Sequence, residues 1–296
     1  MFSLRARIDT APAPRVEATH PAIVLARRLA KNRGALIGAI VCLMLMLMAL
    51  AAPVLAPFAF DKPVAPRLSA PSLQHWFGTD SVGRDVLSRI LFGAQISLQL
   101  GFISVGIALV AGSVMGLFAG YYGRWVDSVI MRFVDMLLAF PRILLALVVA
   151  FSLGPSLTNL MIAVGVSAIP QYARVVRGSV LAAKEEVYVD AARVLGCGDL
   201  RIMFRHILPN VVAPVIVLST LGLAWAILTA ASLGFLGLGV PPPTPEWGMM
   251  CNDGRGYLRQ AWWLTTFPGL AIMITVLAIN LFGDGLRDAL DPRLKT

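Results

Sequence analysis

The sequence predicts an all-α membrane protein with six transmembrane helices and both termini in the cytoplasm. Three observations predict it. First, 58% of the 296 residues are hydrophobic and only 14% are charged, against about a quarter charged in a soluble domain. A chain of this size must still cover its surface, so lipid has to take the place of water, and the mean hydropathy of +0.78 agrees. Second, six largely apolar runs approach the length of about 20 residues that a bilayer requires. Third, lysine and arginine are distributed unevenly between the segments that join those runs.

The first run, 35–58, follows the basic stretch Arg27, Arg28, Lys31 and Arg33. It is longer than the roughly 7–15 apolar residues of a cleaved signal and starts far from Met1, which predicts an uncleaved anchor. The second run, 97–120, carries Gly112, Gly116 and Gly120 at four-residue spacing. That spacing puts three glycines on one face, where another helix can approach closely. The third, 136–153, continues a helix that starts in water and contains Arg142. A cation at mid-membrane costs about 2.5–3.5 kcal/mol on insertion scales. Arg142 therefore faces protein or water, or snorkels to the surface; its candidate roles are a structural pair with Asp135 or a place on a polar path through the bundle. The fourth, fifth and sixth runs are 157–172, 210–236 and 264–282. Trp262 and Trp263, just before the last, suit an interfacial aromatic belt and are assigned no chemistry.

With the N-terminus inside, segments 1–34, 121–135, 173–209 and 283–296 hold eighteen lysines and arginines, and the outer segments 59–96 and 237–263 hold six. The same distribution explains the net charge of +9 without nucleic acid, for which no aromatic-interleaved basic stripe exists. Cys42, Cys197 and Cys251, with three scattered histidines, form neither a disulfide framework nor a zinc spacing. Three regions follow: a cytoplasmic tail at 1–34, a first span and outer loop at 35–96, and a core at 97–296.

The chemistry-bearing segment is the charged insert 179–209. A helix is expected from Ser179 to Leu195, broken by Gly196 and Gly198. Asp199 is expected to cap a second short helix reaching His206, with Pro209 opening the fifth span. Ala191 and Ala192 permit close approach; Ile202, Met203 and Phe204 offer apolar anchors, and Arg201 and Arg205 offer charge. A small exposed helix of this composition reads equally as a docking plug or an ordinary surface loop. Asp127, Arg132 and Asp135 form a charge cluster at the inner start of the third span. Asp80, Arg84 and Asp85 are expected to make exposed salt bridges in the outer loop, of little worth to stability, or to meet a partner protein.

The run Asp190-Ala191-Ala192, then Gly196, then Leu208-Pro209 resembles the signature loop of ABC importer permeases. It departs from the family pattern at Asp190, usually glutamate, and at His206, usually isoleucine. Blocks at 75–89, 127–141, 233–248 and 280–292 resemble the C-type subunit of the dipeptide, oligopeptide and nickel uptake branch, with Pro241 standing where glutamine is usual. The resemblance implies the type I ABC importer permease fold in the bacterial inner membrane. It implies a homologous second permease subunit, two ATP-binding cassette ATPases and a periplasmic substrate-binding protein as partners. It also implies a coupling helix at 196–206 that enters a cleft on the ATPase, with Asp190, Ala191, Ala192, Gly196, Gly198, Asp199, Arg201, Met203, Phe204, Leu208 and Pro209 as ATPase-coupling residues. No phosphate-cradling G-x-x-x-x-G-K-[ST] run and no nucleophile–base set occurs, so a non-catalytic subunit without cofactor is expected. The competing class is an ion-gradient-driven secondary transporter, which inverted repeats would mark. None is visible. The branch spans importers of dipeptides, longer peptides, nickel complexes and glutathione, so the residues leave the cargo open.

Overall fold

A computed structural model describes residues 29–290. The expectations for Arg27, Arg28, Asp291, Pro292 and the two chain ends lie outside the described residues. Helix α1 (Arg33–Leu50) starts at Asn32, whose side chain accepts a hydrogen bond from the Ala35 amide, and a single turn, α2 (Ala52–Leu55), follows it. An irregular loop leads to α3 (Val86–Tyr122), 37 residues long. Asp85 caps it, accepting from the Ser88 amide at 2.8 Å. The helix therefore begins eleven residues before the predicted run. Arg89 and Gln95 hid this start from hydropathy, yet both are satisfied inside the fold. Arg89 donates to the Phe60 and Pro243 carbonyls, and Gln95 to that of Ala49.

The predicted third span is not one helix. α4 (Arg124–Leu138) and α5 (Arg142–Leu153) meet at an 89° bend. Pro141 explains it, because a proline disfavours helical backbone at the residue before it. α6 (Leu157–Lys184) is capped by the Ser156 side chain, and α7 (Val187–Val194) is short. Next come one turn, α8 (Asp199–Arg201), a wide π-helical segment (Ile202–Ile207), α9 (Leu208–Leu233) and a second π segment (Gly234–Leu238). Finally α10 (Trp247–Arg255) packs on α11 (Trp263–Leu290).

Among the described residues four helices are long and apolar enough to cross a membrane, and five such crossings exist if the bent pair is counted as one. The expectation of six is not met on that measure because α6, though 28 residues long, carries Gln171, Arg174, Arg177 and Lys184. Helices α3 and α6 run parallel along the glycine seam. A Cβ on Gly116 would sit 2.5 Å from the Ala173 carbonyl and one on Gly120 2.8 Å from Val180. The spacing thus marks close packing, as expected. α9 lies antiparallel to α3, with Gly101 against Leu223 and Ile227.

One end of the bundle, the cap end, gathers residues 56–85, α10 and the start of α11. Asp80, Arg84 and Asp85 are buried there rather than exposed, contrary to the sequence expectation. Asp80 pairs with Arg84 at 2.6 Å and lies 3.7 Å from Arg89, and His75 Nδ1 meets Asp85 at 3.0 Å. The Asp80 carboxylate also accepts from the Val82 and Arg84 amides. Trp263 is not a belt residue: it is 4% exposed and its indole N–H donates to the Thr79 carbonyl. Trp247, fully buried, donates to the Ile90 carbonyl. Glu246 caps α10, its two oxygens accepting from the Gly248 and Met249 amides. Burial raises its pKa from 4.5 to about 7, against the two amides, which lower it.

Candidate functional site

The insert sits at the opposite end of the bundle and is built by three stops. α6 ends at Lys184, eleven residues short of the expected Leu195, because Glu186 is in extended backbone before α7 begins. α7 then ends in a Schellman motif. The Cys197 amide donates to the Ala192 carbonyl and the Gly196 amide to that of Arg193, with Gly196 at φ +78°. Only glycine takes that left-handed conformation without penalty, so the break predicted at Gly196 is where the chain turns. Gly198, in extended backbone, is the residue that precedes α8.

Asp199 is not the cap. It is the first helical residue, and its carboxylate accepts a 2.7 Å hydrogen bond from the Tyr121 hydroxyl at the end of α3. The tie is between the insert and a long helix rather than within one turn. Pro209 does not start a new helix either, since 199–238 is one helical run of 40 residues. A proline offers no N–H and crowds the carbonyl four residues back. The helix accommodates this by widening to π geometry over Ile202–Ile207 instead of breaking.

Two faces result. Val189, Ala192, Ile202, Met203 and Ile207 point inward and join Leu117, Tyr121, Val176 and Val180 in one buried cluster. Ala192 and Met203 therefore pack against this chain's own spans, and Leu208 is half-buried. The outward face holds Asp190, Ala191, Gly196, Gly198, Asp199, Arg201, Phe204 and Pro209. It also holds apolar side chains the sequence reading missed: Val187, Val194, Leu195 and Leu200 are exposed by 82%, 88%, 82% and 60%. The signal was there, since Val189 and Ala192 lie three apart and Val187 and Val194 fall off their face, but two adjacent breaks concealed the short helix. Asp190 pairs with Arg193 at 3.0 Å on the surface.

Beside the insert, the α4–α6 interface is tied by two ion pairs. Arg177 grips Asp127 through two nitrogens at 2.5 and 2.6 Å, and Arg174 bonds Asp135 at 2.8 Å. Asp135 is thus not the partner of Arg142. Arg142 is the first residue of α5, and among the described residues its one side-chain hydrogen bond goes to the Gln171 amide oxygen, at 3.4 Å. Its Nε is buried without a hydrogen bond. A cavity of about 450 Å³ opens at the α4–α5 bend and is lined by Arg142, Gln171, Arg174, Ser167, Phe140 and Leu145, among others.

Among the described residues no group of three metal-ligating side chains converges. The arrangement offers an apolar face on a short helical hairpin, fused to a membrane-crossing rod and hydrogen-bonded to another. Such a face can transmit displacement; it presents no reacting groups.

The comparisons with known proteins agree with that architecture. Residues 24–71 match the N-terminal TM domain of oligopeptide transport permease C. The chain is 49% identical over 271 residues to the dipeptide transport system permease protein DppC of Alkalihalophilus pseudofirmus, covering 91% of this chain and 89% of the relative. It is 47% identical over 275 residues to the glutathione transport system permease protein GsiD of Escherichia coli, covering 91% and 89%. Among solved structures, the MetNI methionine ABC transporter in an inward-facing conformation shares the fold, with a TM-score of 0.55 at 20% identity over 69% of this chain and 97% of that one. Residues 112–296, spanning the glycine seam, the insert and α9 to α11, match the binding-protein-dependent transport system inner membrane component, and the chain belongs to that family.

Proposed function

We propose that this chain is the C-type permease subunit of an ATP-driven importer of short peptides. Dipeptides are the first choice of cargo, since several relatives carry that name. It works in the bacterial inner membrane with six crossings and cytoplasmic termini. A homologous permease subunit completes the path, two ATPases dock at the insert end, and a binding protein delivers cargo at the cap end. The chain itself catalyses nothing.

The observation that carries this reading is the exposed apolar face of the insert, Val194 and Leu195 at the end of α7 with Leu200 and Phe204 on the helical run continuous with α9. Solvated loops do not keep four large apolar side chains exposed on twenty residues without a partner to cover them. In the proposed coupling role, Gly196 sets the turn and Gly198 lets α8 start. Asp190, Ala191, Arg201 and Phe204 meet the ATPase. Asp199, Ala192, Met203, Leu208 and Pro209 pass the displacement to the spans. Closure of the ATPases then swings the bundle as a rigid body. Arg142 takes a place on the path.

The test is uptake into proteoliposomes holding the full transporter. A Gly196→Leu variant is expected to insert and assemble normally, to retain ATP hydrolysis, and to lose ATP-driven peptide uptake. Wild-type uptake rates from that variant, or cargo movement by this chain with no ATPase present, would overturn the proposal.

A further inference from the structure

The cavity at the α4–α5 bend is chemically unlike the rest of the membrane region. Ser167, Gln171 and Arg174 fall at i, i+4 and i+7 on α6, so one face of that helix turns a polar stripe toward the bend. Arg142 faces it from the start of α5. The first N–H groups of a helix have no partner within the helix and carry the positive end of its dipole. Pro141 precedes Arg142 as the N-cap, and no side chain caps this end.

The charge count is unbalanced. Arg174 spends one guanidinium nitrogen on Asp135, and among the described residues no carboxylate lies within ion-pair distance of Arg142. Of Arg142's five N–H donors, one makes a long contact of 3.4 Å and the buried Nε makes none. A cation kept inside an apolar segment marks a functional site by default, and unpartnered guanidinium donors suit an anion.

The volume, about 450 Å³, falls within the range of about 300–1,000 Å³ typical of small-ligand sites. Its lining sets apolar walls (Phe140, Leu145, Leu137) beside the polar groups. We infer that this cavity is a cargo subsite that receives a carboxylate, and that Arg142 holds it through a two-pronged, charge-assisted contact, with Gln171 and the α5 amides as further donors. For short peptides that carboxylate is the C-terminus, ionised at neutral pH. The inference rests on the peptide-permease reading and adds to it the chemistry of recognition inside the membrane. The same donors would accept a lipid phosphate, so the test must separate the two sources.

The full transporter, without its binding protein, is placed in nanodiscs of phosphatidylcholine alone. Binding of dialanine and of dialaninamide is compared for wild type, Arg142→Gln and Arg142→Lys. Wild type is expected to favour the free acid by about tenfold, Arg142→Gln to bind both equally, and Arg142→Lys to keep part of the preference. Equal binding of acid and amide by wild type, or an undiminished preference in Arg142→Gln, overturns the inference. So does phosphatidylglycerol that abolishes dialanine binding and is retained by wild type but not by Arg142→Gln, since the anion is then a headgroup. Binding-protein-dependent, ATP-driven uptake by the same preparation reports separately on the permease reading. If wild type takes up no peptide with its partners present, that reading fails; if uptake is normal while acid and amide bind alike, only the carboxylate subsite fails.

Discussion

Replacing Gly116 by alanine should destabilise the bundle, while the same change at Gly106, ten residues earlier on the same helix, should not. Intrinsic propensity pushes both substitutions the other way, since glycine inside a helix costs about 0.5–1 kcal/mol relative to alanine. At Gly106 nothing lies within 4 Å of the new methyl, so Gly106→Ala keeps that gain. At Gly116 the methyl would stand 2.5 Å from the Ala173 carbonyl oxygen, 2.8 Å from Val176 Cβ and 2.9 Å from the Arg177 amide, where ordinary contact begins at 3.4 Å. The nearest obstacle is backbone of α6 and must move by about 0.9 Å, the difference between 3.4 and 2.5. Two helices packed along a whole seam cannot part locally by that amount without losing neighbouring contacts. Overpacking of this kind costs about 1–3 kcal/mol, which exceeds the propensity gain. The assay is the apparent melting temperature of the detergent-purified protein, with Gly106→Ala as the matched control. Gly116→Ala melting at or above wild type would refute the parallel seam between α3 and α6.

Other perturbations reach the remaining elements. Asp80→Ala leaves Arg84 and Arg89 buried without their carboxylate and should cost about 3–5 kcal/mol; limited proteolysis in membrane vesicles should then cut within 56–85, where the wild type resists. Tyr121→Phe removes the tie to Asp199 and should cost about 1 kcal/mol while raising amide exchange in 195–202, read by hydrogen-exchange mass spectrometry. The pH dependence of melting has a definite sign at Glu246. The folded chain holds this proton up to a pKa of about 7, against 4.5 for the free side chain. The protonated carboxyl's contribution is therefore complete below about 4.5 and is lost as pH rises through about 7. Melting temperature should fall between about pH 4.5 and 7, and Glu246→Gln should flatten that slope; an unchanged slope in the variant sinks the assignment.

Much of the fold was legible because a membrane chain writes its spans as runs of apolar residues. The runs at 35–58, 97–120, 210–236 and 264–282 each fall largely on a long helix. Several illegible parts share one cause: polar groups satisfied by distant partners look exposed in sequence. Arg89 and Gln95 shortened α3 on paper because Phe60, Pro243 and Ala49 carbonyls were invisible. Asp80 and Arg84 read as a surface pair because nothing in 80–84 announces the burial. At the insert, Gly196 was readable because a left-handed turn demands a particular residue type. Which face of 187–207 turns inward was not readable, because it depends on Leu117, Val176 and Val180 far away in sequence.

That inward face decides what the proposed docking can do. A plug attached only at its two chain ends would flex under load and move nothing. Here Ile202, Met203 and Ile207 are fully buried against α3 and α6, and Asp199 is hydrogen-bonded to α3. Close-packed interiors transmit strain rather than absorb it. A push on Leu200 or Phe204 therefore reaches three long helices together: α9 by continuity, α3 by packing and the Tyr121 bond, and α6 through Val176 and Val180. The 89° bend between α4 and α5 stands apart, held to α6 by the Asp127–Arg177 and Asp135–Arg174 pairs. Moving α6 moves Gln171 and Arg174 with it, on the wall that faces Arg142. The insert and the cavity thus share one rigid helix, which gives displacement at the docking face a direct route to the groups proposed to hold cargo.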